Sequence, residues 1–168
     1  VLKNIHEKGV LRYRPAYLTA NDGVQLWVEH LLFNFAIAEG ESIAFGRENS
    51  IWHFSSVKQD DAKKYLEQLI TGYCDGLNSP LLLLNQSGWN WLSACFDKKS
   101  KQYDFVSEEI QQKALSALMQ SLQGSSMKRG EMEDDYVLRV CRNIDQNLIQ
   151  ALLENTQRYL LPMAEHLK

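Results

Sequence analysis

The sequence predicts an α/β domain with a small mixed sheet, flanking helices and a helix-rich carboxy-terminal half. Three observations predict it. Two short strand pairs surround tight turns within residues 1–14 and 42–54. An unbroken helical period of apolar residues lies between them, and a series of capped helical periods follows Asp60. A chain of 168 residues fits one domain, here taken as 1–168, and can bury roughly two-thirds of the surface its unfolded form exposes.

Val1 to Ile5 and Val10 to Arg14 read as strands joined by His6-Glu7-Lys8-Gly9, with Gly9 supplying the backbone freedom of a tight turn. Pro15 ends the pairing. Thr19 or Asn21 caps a helix whose Val24, Trp27, Val28, Leu31, Leu32 and Phe35 follow the i, i+3, i+4, i+7 spacing, and Gly40 closes it. Ser42 to Phe45 and Ile51 to Phe54 form a second hairpin around Gly46 to Ser50. Asp60 and Asp61 open another helix at its electropositive end, which carries Ala62, Tyr65, Leu66, Leu69, Ile70 and Tyr73 on one face and stops near Gly76. The continuous run Pro80 to Leu84 predicts a short strand buried on both faces, followed by a helix over Trp89 to Phe96. Ser107 caps a helix with Ile110, Ala114, Leu118 and Leu122, and Gly124 to Met132 reads as a loop. Two further helices are expected, from Asp135 to about Arg142 and from Asp145 to about Leu161.

With 45% hydrophobic and 23% charged residues, the composition excludes a disordered chain. The longest apolar stretch, Leu31 to Ala38, is interrupted by Asn34 and is too short to span a bilayer, so no membrane role is expected. No signal peptide opens the chain, and a valine start leading into a strand predicts a piece of a longer protein. Cys74, Cys95 and Cys141 are odd in number and widely spaced, which predicts reduced core thiols in a cytoplasmic protein. The net charge of −3 is uneven: Val1 to Arg14 holds Lys3, Lys8, Arg12 and Arg14 against Glu7 alone. Such a basic edge on an acidic body suits a polyanion or a protein partner.

Strand period two puts Val10, Arg12 and Arg14 on one face, with Leu11 and Tyr13 on the other. Guanidinium groups donate only and stay charged, so this pair can hold phosphates or carboxylates but cannot ligate a metal or act as a base. Ion pairing within the domain and a phosphate or partner contact are equally open. His6, His30, His53 and His166 lack a second histidine or cysteine at ligand spacing, and His30 reads as structural. No phosphate-cradling loop, nucleophile elbow or catalytic triad is present, so no catalytic residue, metal, cofactor or bound nucleotide is assigned. Glu131, Glu133, Asp134 and Asp135 could in principle collect a divalent cation, although helix capping explains them more simply. Trp52, Trp89 and Trp91 read as core or interface before base-stacking platforms.

Four blocks in register resemble one family. They are Gly9-Val-Leu-Arg-Tyr-Arg-Pro-Ala16 with Trp27-Val-Glu-His-Leu31; Gly72-Tyr73 to Gly76 with Ser79 to Gly88; Arg129-Gly-Glu131 with Asp134-Asp135; and Arg158-Tyr-Leu-Leu-Pro162. Together they resemble the C-terminal domain of RecC, the gamma subunit of bacterial exodeoxyribonuclease V, from Gly9 nearly to the end of the chain. The resemblance implies a heterotrimeric helicase and nuclease, RecBCD, that resects double-strand breaks in recombinational repair. It also implies partners: a duplex DNA end and RecB-like and RecD-like subunits. The implied fold is an inactivated PD-(D/E)xK, restriction-endonuclease-like one, associated with duplex splitting and RecD docking. Active members of that fold carry a carboxylate and a lysine two apart on a hairpin strand, whereas Arg12-Tyr13-Arg14 stands at the comparable place. An earlier acidic ligand would have to come from upstream, since Val1 to Ile5 holds none. The expectation is therefore a non-catalytic DNA-binding scaffold, with Lys3, Lys8, Arg12 and Arg14 as its contacts. Its rivals are an active metal-dependent nuclease using Glu131 to Asp135 and a purely protein-binding module.

Overall fold

In the computed structural model, which describes residues 4–126, 128–141 and 143–168, the chain separates into two units. The first comprises Val1–Ser79 with Leu161–Lys168, and the second Pro80–Leu160.

The first unit is built on a mixed sheet. Strands β1 (Ile5–His6) and β2 (Gly9–Tyr13) pair antiparallel, with Ile5 opposite Val10 and His6 opposite Gly9. Gly9 has φ of 143°, and a Cβ there would overlap the Glu41 carbonyl, so only glycine lets the strand start beside the chain entering the next one. Helix α1 (Ala20–Ala36) carries the chain back across the sheet, so β3 (Ser42–Phe45) runs parallel to β2. Strand β4 (Ile51–Phe54) returns antiparallel to β3, giving the order β1-β2-β3-β4. Val10, Ala44, Trp52 and Phe54 from the strands are buried with Leu26, Trp27, Leu31 and Phe33 of α1. Gly23 permits that approach, because a Cβ at this position would lie 2.7 Å from the Trp52 ring. The other sheet face leaves Tyr13 77% and Ile51 51% exposed.

Helix α2 (Gln59–Asn78) begins as the two aspartates predict. Its Ala62 is fully buried and Tyr65 meets Trp27 at 5.9 Å between ring centroids. The predicted apolar face is covered only in part: Ile70 and Tyr73, expected inside, are exposed. Cys74 on the same helix is exposed as well, which corrects its reading as a core thiol, whereas Cys95 and Cys141 are buried and free. The carboxy-terminal helix Leu161–Glu165 and the tail after it belong to this unit. Leu167 forms a bridge to Phe54, and the Ser55 amide donates to the His166 carbonyl at 2.8 Å.

The second unit is helical, with two small ribbons. Helix α3 (Asn85–Cys95) runs into β5 (Phe96–Asp97), which pairs with β6 (Gln102–Tyr103). Helix α4 (Glu108–Gln123) follows, and then β7 (Gly124–Ser125) and β8 (Lys128–Arg129) form a ribbon within the span expected to be a loop. A 3-10 turn (Glu131–Glu133) leads into α5 (Asp135–Val140) and α6 (Gln146–Tyr159). Trp91, Leu92, Cys95, Ala114, Leu118, Leu122 and Leu152 make its core.

The Pro80 to Leu84 run is not a strand. Its backbone bonds go elsewhere: the Leu83 amide donates to Leu81, the Leu82 carbonyl accepts from Asn155 at 3.0 Å, and the Leu84 carbonyl accepts from Gly88. With no neighbouring strand to pair, an apolar run need not extend into a sheet. No helix among the described residues is long and apolar enough to cross a membrane.

Candidate nucleic-acid interface

Strand alternation turns Arg12 and Arg14 toward α1, and that helix answers each with a carboxylate. Arg12 Nη2 lies 2.5 Å from Glu29 Oε1, and Arg14 Nη1 lies 2.5 and 2.7 Å from the two Asp22 oxygens. Asp22 also accepts the Thr19 amide and hydroxyl, each at 2.8 Å, closing the first turn of α1. Burial pushes the Asp22 carboxyl up, but the Thr19 amide and hydroxyl and the Arg14 guanidinium outweigh it and hold the group below the usual carboxylate range. A pocket of about 390 Å³ opens here, lined by Asn4, Arg12, Tyr13, Arg14, Asp22 and Gln25 among others. Its cations are already neutralised by carboxylates of the same unit.

The predicted basic patch is therefore divided. Lys8 sits exposed in the β1–β2 turn, at the other end of β2, where its carbonyl accepts the Glu41 amide at 2.8 Å. Lys3 lies outside the described residues. Among the described residues, Lys8 lies apart from Arg12 and Arg14, at the opposite end of β2.

His30 is sealed between α1 and the sheet. It stacks on Trp27 with ring centroids 5.5 Å apart, and its Nδ1 lies 2.9 Å from Ser42 Oγ, which also accepts the Val10 amide. Desolvation drops the His30 pKa to about 4, so the ring is neutral near pH 7. Asn34 completes the network, donating to the His30 carbonyl and accepting the Gly40 and Val57 amides. These groups bond one another and pin α1 to the loops around it.

In the second unit three of the four carboxylates of the acidic cluster, those of Glu131, Glu133 and Asp134, accept backbone amides. Glu131 accepts Gln86 and Ser87 at 3.2 and 2.7 Å, capping α3 from a distance in sequence. Glu133 accepts Gly130, and Asp134 caps α5 through Tyr136 and Val137. Among the described residues no group of histidine, cysteine, aspartate or glutamate forms a possible metal site. Trp52 and Trp91 are buried and Trp89 is half-buried. One basic element escaped the sequence reading, the β5–β6 turn with Lys98, Lys99 and Lys101 exposed. Its signal was the Asp-Lys-Lys-Ser-Lys string after a predicted helix.

A family model for the RecC C-terminal domain matches residues 1–96. The RecBCD enzyme subunit RecC of Escherichia coli strain K12 is 36% identical over 162 residues, which cover 96% of this chain and 14% of that protein. RecC subunits of Buchnera aphidicola from the subspecies Baizongia pistaciae and Acyrthosiphon pisum are 30% and 29% identical, each match covering 99% of this chain and 15% of the relative. The chain thus spans about one-seventh of the length of these relatives.

Proposed function

The chain belongs to the RecC C-terminal domain family, and on that premise we propose that it is a non-catalytic module of a RecC-like subunit that contacts DNA and holds a RecBCD-type helicase-nuclease together. In this reading it works beside RecB-like and RecD-like subunits at a duplex end, in recombinational repair of double-strand breaks. It splits the duplex and docks the RecD-like helicase.

The observation that carries the non-catalytic part is the Arg12 and Arg14 pair with its carboxylates. If the sheet of the first unit derives from a PD-(D/E)xK nuclease, Arg12-Tyr13-Arg14 stands where such an enzyme keeps a metal-binding carboxylate and a lysine. Glu29 and Asp22 there compensate guanidinium charge, and a cation beside either carboxylate would meet the repulsion of Arg12 or Arg14. The acidic cluster of the second unit supports the same reading, because three of its four carboxylates, Glu131, Glu133 and Asp134, are engaged by amides.

Two measurements test this. In a complex assembled from the intact RecC-like, RecB-like and RecD-like subunits, deleting the region equivalent to this chain should weaken association of the RecD-like helicase and slow duplex unwinding. Unchanged docking and unwinding would remove the scaffold role. With magnesium or manganese present, the chain by itself should leave linear duplex intact, and cleavage lost in a Glu131→Ala variant would reverse the non-catalytic assignment.

A further inference from the structure

The β5–β6 hairpin presents three lysines within four positions, Lys98, Lys99 and Lys101, all exposed. None of them forms an ion pair among the described residues. Asp97, beside the turn, accepts the Lys99 amide at 3.0 Å and the Ser100 amide at 3.1 Å, which shapes the loop; it stays ionised and attracts Lys99, so the tip keeps an excess of cations, three lysines to this one carboxylate. Asp104, just past β6, is likewise bound to the Val106 and Ser107 amides.

The foot of the hairpin is aromatic. Phe96 and Tyr103 face each other across the strands at 5.2 Å, Tyr103 stacks on Phe105 at 6.2 Å, and Phe105 stacks on the buried Trp91 at 5.5 Å. Phe96 remains 39% exposed. A tip of exposed ammonium groups on an aromatic stem, with a part-exposed ring at its base, suits a phosphodiester backbone. Lysine meets phosphate as a point charge without needing a defined geometry, and an exposed ring offers a face to an unpaired base.

We infer that the DNA contact of this chain lies at the β5–β6 hairpin, where Lys98, Lys99 and Lys101 hold the phosphate backbone of a strand passing Phe96. This rests on the reading that the chain contacts DNA. It moves the contact from the β1–β2 hairpin, whose arginines are neutralised.

The test uses the 168-residue chain, a labelled single strand and the matching blunt duplex, with affinities measured across a salt series. The K98Q/K99Q/K101Q variant should lose on the order of tenfold or more in affinity at low salt. Its log-log salt slope should shrink by about 2 on the single strand and by about 2.7 if the duplex backbone is held too. A loss confined to the single strand assigns the tip to an unpaired strand, and a loss on both extends it to duplex. K58Q/K63Q/K64Q removes as many charges from α2 and the residue that precedes it, and should change far less. The charge-preserving K98R/K99R/K101R should keep the wild-type slope, which separates lost contact from lost folding. Equal losses in the tip and α2 variants, or a tip variant that binds like wild type, overturn the inference and leave DNA contact elsewhere on the chain. Wild-type protein that binds neither probe overturns the DNA-contacting reading itself.

Discussion

The molecule has two basic hairpins that handle charge in opposite ways. At β1–β2, α1 brings Glu29 and Asp22 against Arg12 and Arg14, so the cations serve the fold. At β5–β6, the nearby carboxylates Asp97 and Asp104 face backbone amides, and the lysines stay at the surface. The count of cations is similar, but the charge available to a partner differs, because availability depends on what stands opposite each group in space.

The comparison breaks most readily at Gly9. Gly9→Ala would force a Cβ into the Glu41 carbonyl at a φ that L-residues avoid, and should cost about 3–5 kcal/mol in denaturant unfolding. A near-neutral result would show that β2 is not moored beside β3 as described. Next comes acid. The folded His30 pKa of about 4 lies below its unfolded value of 6.5, so the unfolded state binds the proton first. Stability is then fully present above about pH 6.5 and should fall by up to about 3 kcal/mol as pH drops toward 4. Thermal melts across that range should show the decline, and His30→Gln, which cannot titrate, should lack that limb.

Arg12→Ala sharpens the contrast directly. It leaves the part-buried Glu29 without its cation, for a loss of about 2 kcal/mol that Glu29→Gln in the same background should partly restore. If Arg12→Ala instead spares stability and abolishes DNA binding, the roles of the two hairpins are exchanged. The smallest effect belongs to the tip: K98Q/K99Q/K101Q should shift unfolding by less than about 0.5 kcal/mol, because these side chains are exposed at the surface. A larger loss there would mean that the lysines support the unit.

Much of the local structure was legible. The second hairpin appears with the strand limits read from its apolar residues, and α1 starts from a Thr19 cap. The buried face of α1 is shifted, however, to Gly23, Leu26, Trp27, His30, Leu31, Phe33 and Asn34, so that of the predicted apolar face only Trp27 and Leu31 are buried while Leu32 and Phe35 are exposed. Asp145 caps α6 as expected. Where legibility failed, a distant part of the chain decided. Periodicity placed Ile70 and Tyr73 on the apolar face of α2 but could not say how far along the helix a neighbour covers it. Pro80 to Leu84 has the composition of a buried strand and no strand to pair with.

The candidate site divides along the same line. Sequence by itself determined the facing of Arg12 and Arg14, through strand alternation, and the unsuitability of guanidinium groups as metal ligands, through their chemistry. It also carried the family, in four short blocks whose order survives without any structure. Only the tertiary structure decided that Glu29, 17 residues from Arg12, would neutralise it, and that Glu131, 44 residues from Ser87, would cap another helix. Periodicity and capping act over a few residues, where backbone geometry fixes which side chains meet. Charge compensation acts through space, and the carboxylate that reaches a cation is set by the path of the whole chain.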